Sequence, residues 1–235
     1  MKLNFWMPGL LMTGIFCSVT ASANPVAWVK AADKIRNPAE SYEMKIRVKS
    51  EESESVFQVF LKGQEKTLIV AKEPARDRGR NMLMLDRDFH AYVPNLKRAM
   101  KLSLSQKLQG QVANGDISRT RWAGDYDPKL EKETAEERQL ILKGVKSNLT
   151  YAWVRLWLAK KDSRPLRAEF LGLNGKTVLK KAVFEDYKML AGALRPATLK
   201  ISDTAGATSY IHIESMTVKD LSDSFFTVRN METLK

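Results

Sequence analysis

The sequence predicts a mainly β fold, a single antiparallel sheet of about eleven strands that is closed or curled on itself. Three observations point there. In residues 41–50, Tyr42, Met44, Ile46 and Val48 alternate with Glu43, Lys45, Arg47 and Lys49, the period of a half-buried strand. Turn signals such as Asn174-Gly175 and Thr204-Ala205-Gly206-Ala207 separate apolar runs throughout the second half. Helical periodicity is almost confined to one short stretch, and no repeat or low-complexity linker divides the chain. One domain over residues 24–235 is expected.

Taken in order, residues 1–23 read as an export signal. Lys2 precedes an apolar run from Phe5 to Val19 that is short for a bilayer span, and Ala21-Ser22-Ala23 has the small-x-small form of a cleavage site. The expectation is a soluble protein of a bacterial periplasm, cut after Ala23. The sole cysteine, Cys17, follows Phe16, which does not suit a lipid-attachment motif, so packing rather than a disulfide must hold the remainder. Asn24 can cap a helix over 25–36, with Pro25 in its first turn, Ala27, Trp28, Ala31 and Ile35 at helical spacing, and Asn37-Pro38 as its stop.

Strands follow at 54–62 and 66–72, then a basic loop at 74–80 and a hairpin of 82–85 with 89–93 turning at Asp86-Arg87-Asp88. Residues 94–128 give a mixed signal, with Leu102, Leu104 and Leu108 suiting strand then helix. Residues 130–137 have helix-forming composition but few apolar side chains, and read as a surface segment. Strand pairs are expected at 139–145 with 150–160, 164–173 with 176–187, and 194–203 with 208–218. Several are apolar on both faces. In 150–158, Tyr151, Trp153 and Trp157 oppose Ala152, Val154, Leu156 and Leu158. Either both faces are covered by protein, or one lines an apolar cavity.

A net charge of +12 suits anionic membrane surfaces, acidic lipid headgroups or an acidic protein partner, and export argues against nucleic acid. Beyond Cys17 there is no thiol, no Gly-rich phosphate loop, and only His90 and His212 as imidazoles. Asp86, Asp88 and His90, spaced by two, could share a strand face and bind a metal. Their place at a hairpin turn favours a backbone role instead. Asp125 and Asp127 before Pro128 suit a loop, and His212 between Tyr210 and Glu214 suits a solvent face. No catalytic residue, metal or cofactor is expected, and the chain is expected not to be an enzyme.

The order of short motifs resembles the LolA-like, outer-membrane lipoprotein-sorting family, in its longer, less characterised branch. They are Pro74 and Arg78-Gly79-Arg80-Asn81-Met82-Leu83, Tyr92-Val93-Pro94 with Lys97-Arg98, Asn114-Gly115-Asp116-Ile117-Ser118, Leu156-Trp157-Leu158, and Phe225-Phe226-Thr227. The resemblance implies an open half-barrel whose concave face is covered by short helices over a cavity for acyl chains. A methylene in water costs about 0.8 kcal/mol, so a long chain crosses an aqueous gap only inside an apolar container. The expected lining is Met44, Ile46, Val48, Phe57, Val59, Leu61, Leu83, Leu85, Trp122 and Trp153. Trp28, Leu102, Leu104 and Leu108 are the expected lid, and Arg76, Arg78, Arg80, Lys97 and Arg98 a basic rim. Expected partners are acyl chains of a lipid or lipoprotein, an inner-membrane donor transporter and an outer-membrane acceptor, with the protein as a monomer. The alternative is an envelope-sensing module on the same fold that binds a membrane protein segment.

Overall fold

Alternation in the sequence becomes strand in the structure, a computed structural model that describes residues 24–86, 88–118, 120–147 and 149–234. The expected signal at 1–23 and the turn residue Arg87 lie outside the described residues. Helix α1 (Pro25–Arg36) is capped as its sequence requires, the Asn24 side chain accepting the Ala27 N–H at 3.0 Å. Strands β1 (Ser41–Lys49), β2 (Glu54–Lys62), β3 (Lys66–Glu73), β4 (Met82–Leu85), β5 (Asp88–Val93) and β6 (Arg98–Leu102) form a meander.

A short hairpin, β7 (Lys107–Gln109) with β8 (Val112–Ala113), and helix α2 (Asn114–Ser118) follow. The second meander is β9 (Tyr126–Glu133), β10 (Glu137–Gly144), β11 (Trp153–Ala159), β12 (Pro165–Leu171), β13 (Val178–Leu190), β14 (Ala193–Asp203) and β15 (Thr208–Val218). Helix α3 (Val228–Thr233) is the last element of the described residues.

β1 pairs antiparallel with β15, Ile46 opposite Ile213 and Val48 opposite Ile211. That ladder welds the two meanders into one sheet of thirteen strands, with β6 and β9 at its ends. The sheet is open, and it carries more strands than the roughly eleven expected from turn spacing. Residues 130–137, read as a surface segment, hold the second half of β9 and the first residue of β10. An edge strand faces solvent widely, so its charged side chains hide the alternation, and Pro128 is tolerated there because its missing N–H breaks no inner ladder.

Because β6 and β9 lie at opposite ends, residues 103–125 must cross the sheet between them. This crossing segment and α1 cover the inner face. Met44, Ile46, Val48, Val59, Leu61, Leu140, Leu156 and Ile201 point there from the strands and meet Val29, Ala32, Leu104, Ile117 and Trp122 from the cover, all nearly inaccessible. The outer face of β1 and β15 carries ion pairs instead, Lys45 and Arg47 with Glu214 at 2.8 and 2.6 Å. Exposed pairs of this kind contribute about 0–1 kcal/mol each, so the inner core carries the stability.

Part of the outer face has a core of its own. Leu68, Val70 and Leu83 are covered by Leu221, Phe226 and Met231 of the C-terminal segment. Buried Asn81 fastens that segment, donating to the carbonyls of Met231 (2.8 Å) and Leu234 (2.7 Å) and accepting from the Ala71 N–H. β3 and β4 are therefore apolar on both faces because protein covers both.

Candidate functional site

The inner face is not uniformly filled. Beneath the β7–β8 hairpin, where β2 begins and β3 ends, lies a groove of about 640 Å³. That is within the size class of small-molecule sites, about 300–1,000 Å³. Its apolar lining is Phe57, Ala71, Met82, Ala91, Leu102 and Leu108, and Arg76, Arg80 and Lys107 stand at its rim. Asp77 pairs with Arg80 at 3.1 Å and reaches Arg76 at 3.9 Å, and with Glu54 also on the lining the three cations leave the rim basic by one charge. Arg76 and Arg80 are exposed, so salt screens what they offer a ligand.

Helix α2 is a partition. Asn114 faces the groove, whereas Asp116 and Ile117 line a small void of about 50 Å³ bounded by Met44, Ile46, Ile211, Ile213 and Met216. A second void, about 40 Å³, lies between Trp122, Tyr126, Tyr151 and Phe170. Each has room for a few waters at most. The partition is pinned by polar anchors. The Asp116 carboxylate takes the Lys180 ammonium at 2.9 Å, the Tyr151 hydroxyl at 2.7 Å and the Ala113 N–H at 2.8 Å. Burial raises the Tyr151 hydroxyl far above its ordinary range, and Asp116 beside it adds to the rise.

Gln109 donates to the carbonyls of Val48 and Ser53, and Thr67 donates to the Ser118 carbonyl, so the crossing segment is tied to β1, to the β1–β2 turn and to β3. Gly115 lies so close to β11's approach that a Cβ there would sit 1.7 Å from Thr150 Oγ1.

The far end of the segment is tied to α1. The Asp33 carboxylate accepts the N–H groups of Trp122 (2.9 Å) and Ala123 (2.8 Å). Burial pushes that carboxyl up to about 6, while those N–H bonds and Arg36 pull it down. One turn on, the Arg36 guanidinium lies 4.1 Å from the Trp122 ring centroid and 5.3 Å from that of Phe184, and burial lowers its basicity. Trp122 and Phe184 meet edge to face, centroids 6.0 Å apart.

The expected lining residues therefore divide. Phe57 is in the groove, Met44 and Ile46 on the first void, Trp122 on the second, and Val48, Val59 and Leu61 in packed core of the same face. Leu83 and Leu85 belong to the outer core under the C-terminal segment, which corrects their placement. Trp153 is corrected likewise. It is on the outer face with the Lys143 ammonium 5.5 Å from its ring and Gly175 packed on it, while Val154, Leu156 and Leu158 face inward.

Of the expected lid, Leu102 and Leu108 line the groove, Leu104 is buried core, and Trp28 packs on the core beneath Arg138, 4.2 Å from its ring. Of the basic residues, Arg76 and Arg80 reach the groove. Arg78, whose Nε donates to the Lys72 carbonyl, and Lys97 and Arg98 stay on exposed loops and edge. Asp88 pairs with Lys101, and no metal-binding group of three His, Cys, Asp or Glu exists among the described residues.

Met82, Ala91, Arg36, Asp116 and Lys180 were not expected as site residues, although Met82 and Asp116 stand in the motifs that carry the resemblance. Parity held a signal for one of them. Lys180 shares its strand face with Ala182 and Phe184, a charge on an otherwise apolar row.

Among the described residues no helix is long and apolar enough to cross a membrane. A family model described only as an uncharacterized protein matches residues 63–233. No curated protein matches. Among solved structures, a DUF1329 family protein from Desulfovibrio piger is 20% identical with a TM-score of 0.73, over 89% of this chain and 100% of its own. A domain from Vibrio parahaemolyticus proposed as outer membrane lipoprotein-sorting is 19% identical with a TM-score of 0.72, over 88% and 98%. Both likenesses concern the fold. A LolA superfamily protein from Nitrosomonas europaea is 33% identical with a TM-score of 0.80, over 88% of this chain and 99% of its own. On that identity across the whole of a relative, the chain belongs to the LolA superfamily.

Proposed function

We propose that the protein is a periplasmic carrier for the acyl chains of a lipid or lipoprotein, exported on loss of residues 1–23. The observation that supports this most directly is the groove, ligand-sized and apolar inside with arginine and lysine at its lip. Sequestering ten methylenes from water is worth about 8 kcal/mol, which keeps a chain in the container while it crosses the aqueous gap. The relatives' fold, one of them proposed as lipoprotein-sorting, supports the same reading.

In this reading the groove admits the chain end, and the segment 24–234 acts as one monomeric domain that picks up cargo from an inner-membrane donor and releases it to an outer-membrane acceptor. Arg76 and Arg80, with Arg78, Lys97 and Arg98 on the neighbouring loops and edge, meet anionic headgroups. No step requires a catalytic group or cofactor.

The test is a mass-spectrometric inventory of lipids extracted from the purified mature protein, beside displacement of an apolar fluorescent probe by lysophospholipid. Filling the groove by Met82→Trp is expected to weaken probe binding at least tenfold while leaving the fold intact by circular dichroism. Absence of both copurifying lipid and probe binding, or a Met82→Trp protein that binds as well as wild type, overturns it.

A further inference from the structure

Arg36 is the one guanidinium that lines both inner voids, and its surroundings are unusual for a buried cation. Its Nη1 is buried and meets no hydrogen-bond partner among the described residues. The rings of Trp122 and Phe184 hold its plane but supply no acceptor. A buried, unsatisfied charged donor is expensive, and native interiors leave few of them.

The carboxylates close enough to matter are committed elsewhere. Asp33 accepts two backbone N–H groups from the crossing segment, and Asp116 is held by Lys180, Tyr151 and the Ala113 N–H. The first void beside Arg36, about 50 Å³, has room for a carboxylate or a phosphate but not for a hydrocarbon chain. The wall it shares with β1 and β15 is apolar at Met44, Ile46, Ile211 and Ile213, with the Tyr42 hydroxyl at one end bonded to Asn37. Helix α2 borders both, with Asp116 and Ile117 on the void and Asn114 on the groove, and the buried Val48 follows Ile46 on the same face of β1.

Resting on the carrier reading, we infer that Arg36 is the internal anchor for the anionic head of an amphiphile, a carboxylate or a phosphate. The chain of that amphiphile passes α2 along the β1 wall into the groove by lifting the cover packed on Val48. The planar guanidinium suits either group, since two parallel N–H donors match two oxygens. The ligand's oxygens satisfy Nη1, and Trp122 and Phe184 keep water from competing. A cargo with a neutral head gains nothing there. The carrier is thereby selective for acidic lipids at a site distinct from its exposed basic rim.

The experiment measures displacement of an apolar fluorescent probe by three ligands of equal chain length, a fatty acid, the corresponding alcohol, and a lysophosphatidic acid. Wild type is expected to bind at least one of the two acids tenfold or more tighter than the alcohol. The favoured acid tells carboxylate from phosphate. Arg36→Met is expected to bring that acid to the alcohol's level and leave alcohol binding within twofold, with Arg36→Lys in between. Equal binding of acids and alcohol by wild type, or a preference that survives Arg36→Met, overturns the anchor while leaving the carrier intact. Failure of all three ligands overturns both.

A second measurement stands if Arg36→Met does not fold. The carboxyl carbon of labelled fatty acid on the wild-type protein is titrated by NMR. A midpoint at least one pH unit below that of the same acid on serum albumin-free micelles of neutral detergent supports the anchor, and an unshifted midpoint overturns it.

Discussion

Asp33 joins helix α1 to the crossing segment through a carboxylate withdrawn from water, and the conflict between those two facts is measurable. Burial raises its pKa from an ordinary 3.8 to about 6, so the folded protein binds this proton more tightly than the unfolded chain does. Where the native state holds the extra proton, stability falls as pH rises. The Asp33 contribution is thus most favourable below about pH 4, declines between about 4 and 6, and is flat above. Its span is on the order of 2–3 kcal/mol. Urea unfolding at pH 4.5, 5.5 and 7 is expected to show wild type losing stability relative to Asp33→Asn across that window. A difference that is constant with pH, or that moves the other way, contradicts a raised Asp33. Neither Asp33 nor Arg36 stood out in the sequence. Three apart on a helix they look like an ordinary surface pair, and only the crossing segment, remote in sequence, buries them.

Elements show where sequence suffices. Residues 25–36, 54–62 and 208–218 are helix or strand within the expected limits, because capping and period-two alternation are local properties. What alternation cannot state is which face of a strand is inside. Leu83, Leu85 and Trp153 were on apolar rows yet face outward, since the C-terminal segment and the Asn174-Gly175 turn cover those rows from a distance in sequence. Residues 94–128 were opaque for a related reason. The crossing segment is held by side-chain anchors rather than by a ladder, and such anchors leave no periodic trace. The same fact makes α2 sensitive to one residue. Lys180 and Asp116 are mostly buried and neutralise each other, so Lys180→Met leaves a buried carboxylate unpaired, which costs about 3–5 kcal/mol. The expectation is a clear fall in the unfolding midpoint, largely recovered when Asp116→Asn is added. Additive losses in the double variant would show that the two do not act as a pair.

Over the whole molecule, the sheet and its cover differ in kind. Thirteen strands are linked neighbour to neighbour by backbone hydrogen bonds, so moving any inner strand breaks two ladders at once. The crossing segment adds the two-stranded β7–β8 hairpin and rests mainly on side-chain anchors, among them Asp33, Asp116, Gln109, Thr67 and Arg121. Voids of about 50 and 40 Å³ cannot take an acyl chain, so a cargo that reaches past the groove has to displace part of the cover, and the side-chain-anchored part is the cheapest to move. The sheet's free edges at β6 and β9 leave it room to flex without breaking a closed barrel. Hydrogen exchange followed by mass spectrometry separates this from a rigid container. Saturation with a long-chain ligand is expected to speed exchange of the amides at 112–118 and 122–126 severalfold, while β1, β14 and β15 keep or gain protection. Slower exchange everywhere would mean that the ligand sits in the groove alone and the inner face stays shut. Faster exchange across β1 and β15 would mean that the two meanders part at their shared ladder, and that the sheet itself is the moving piece.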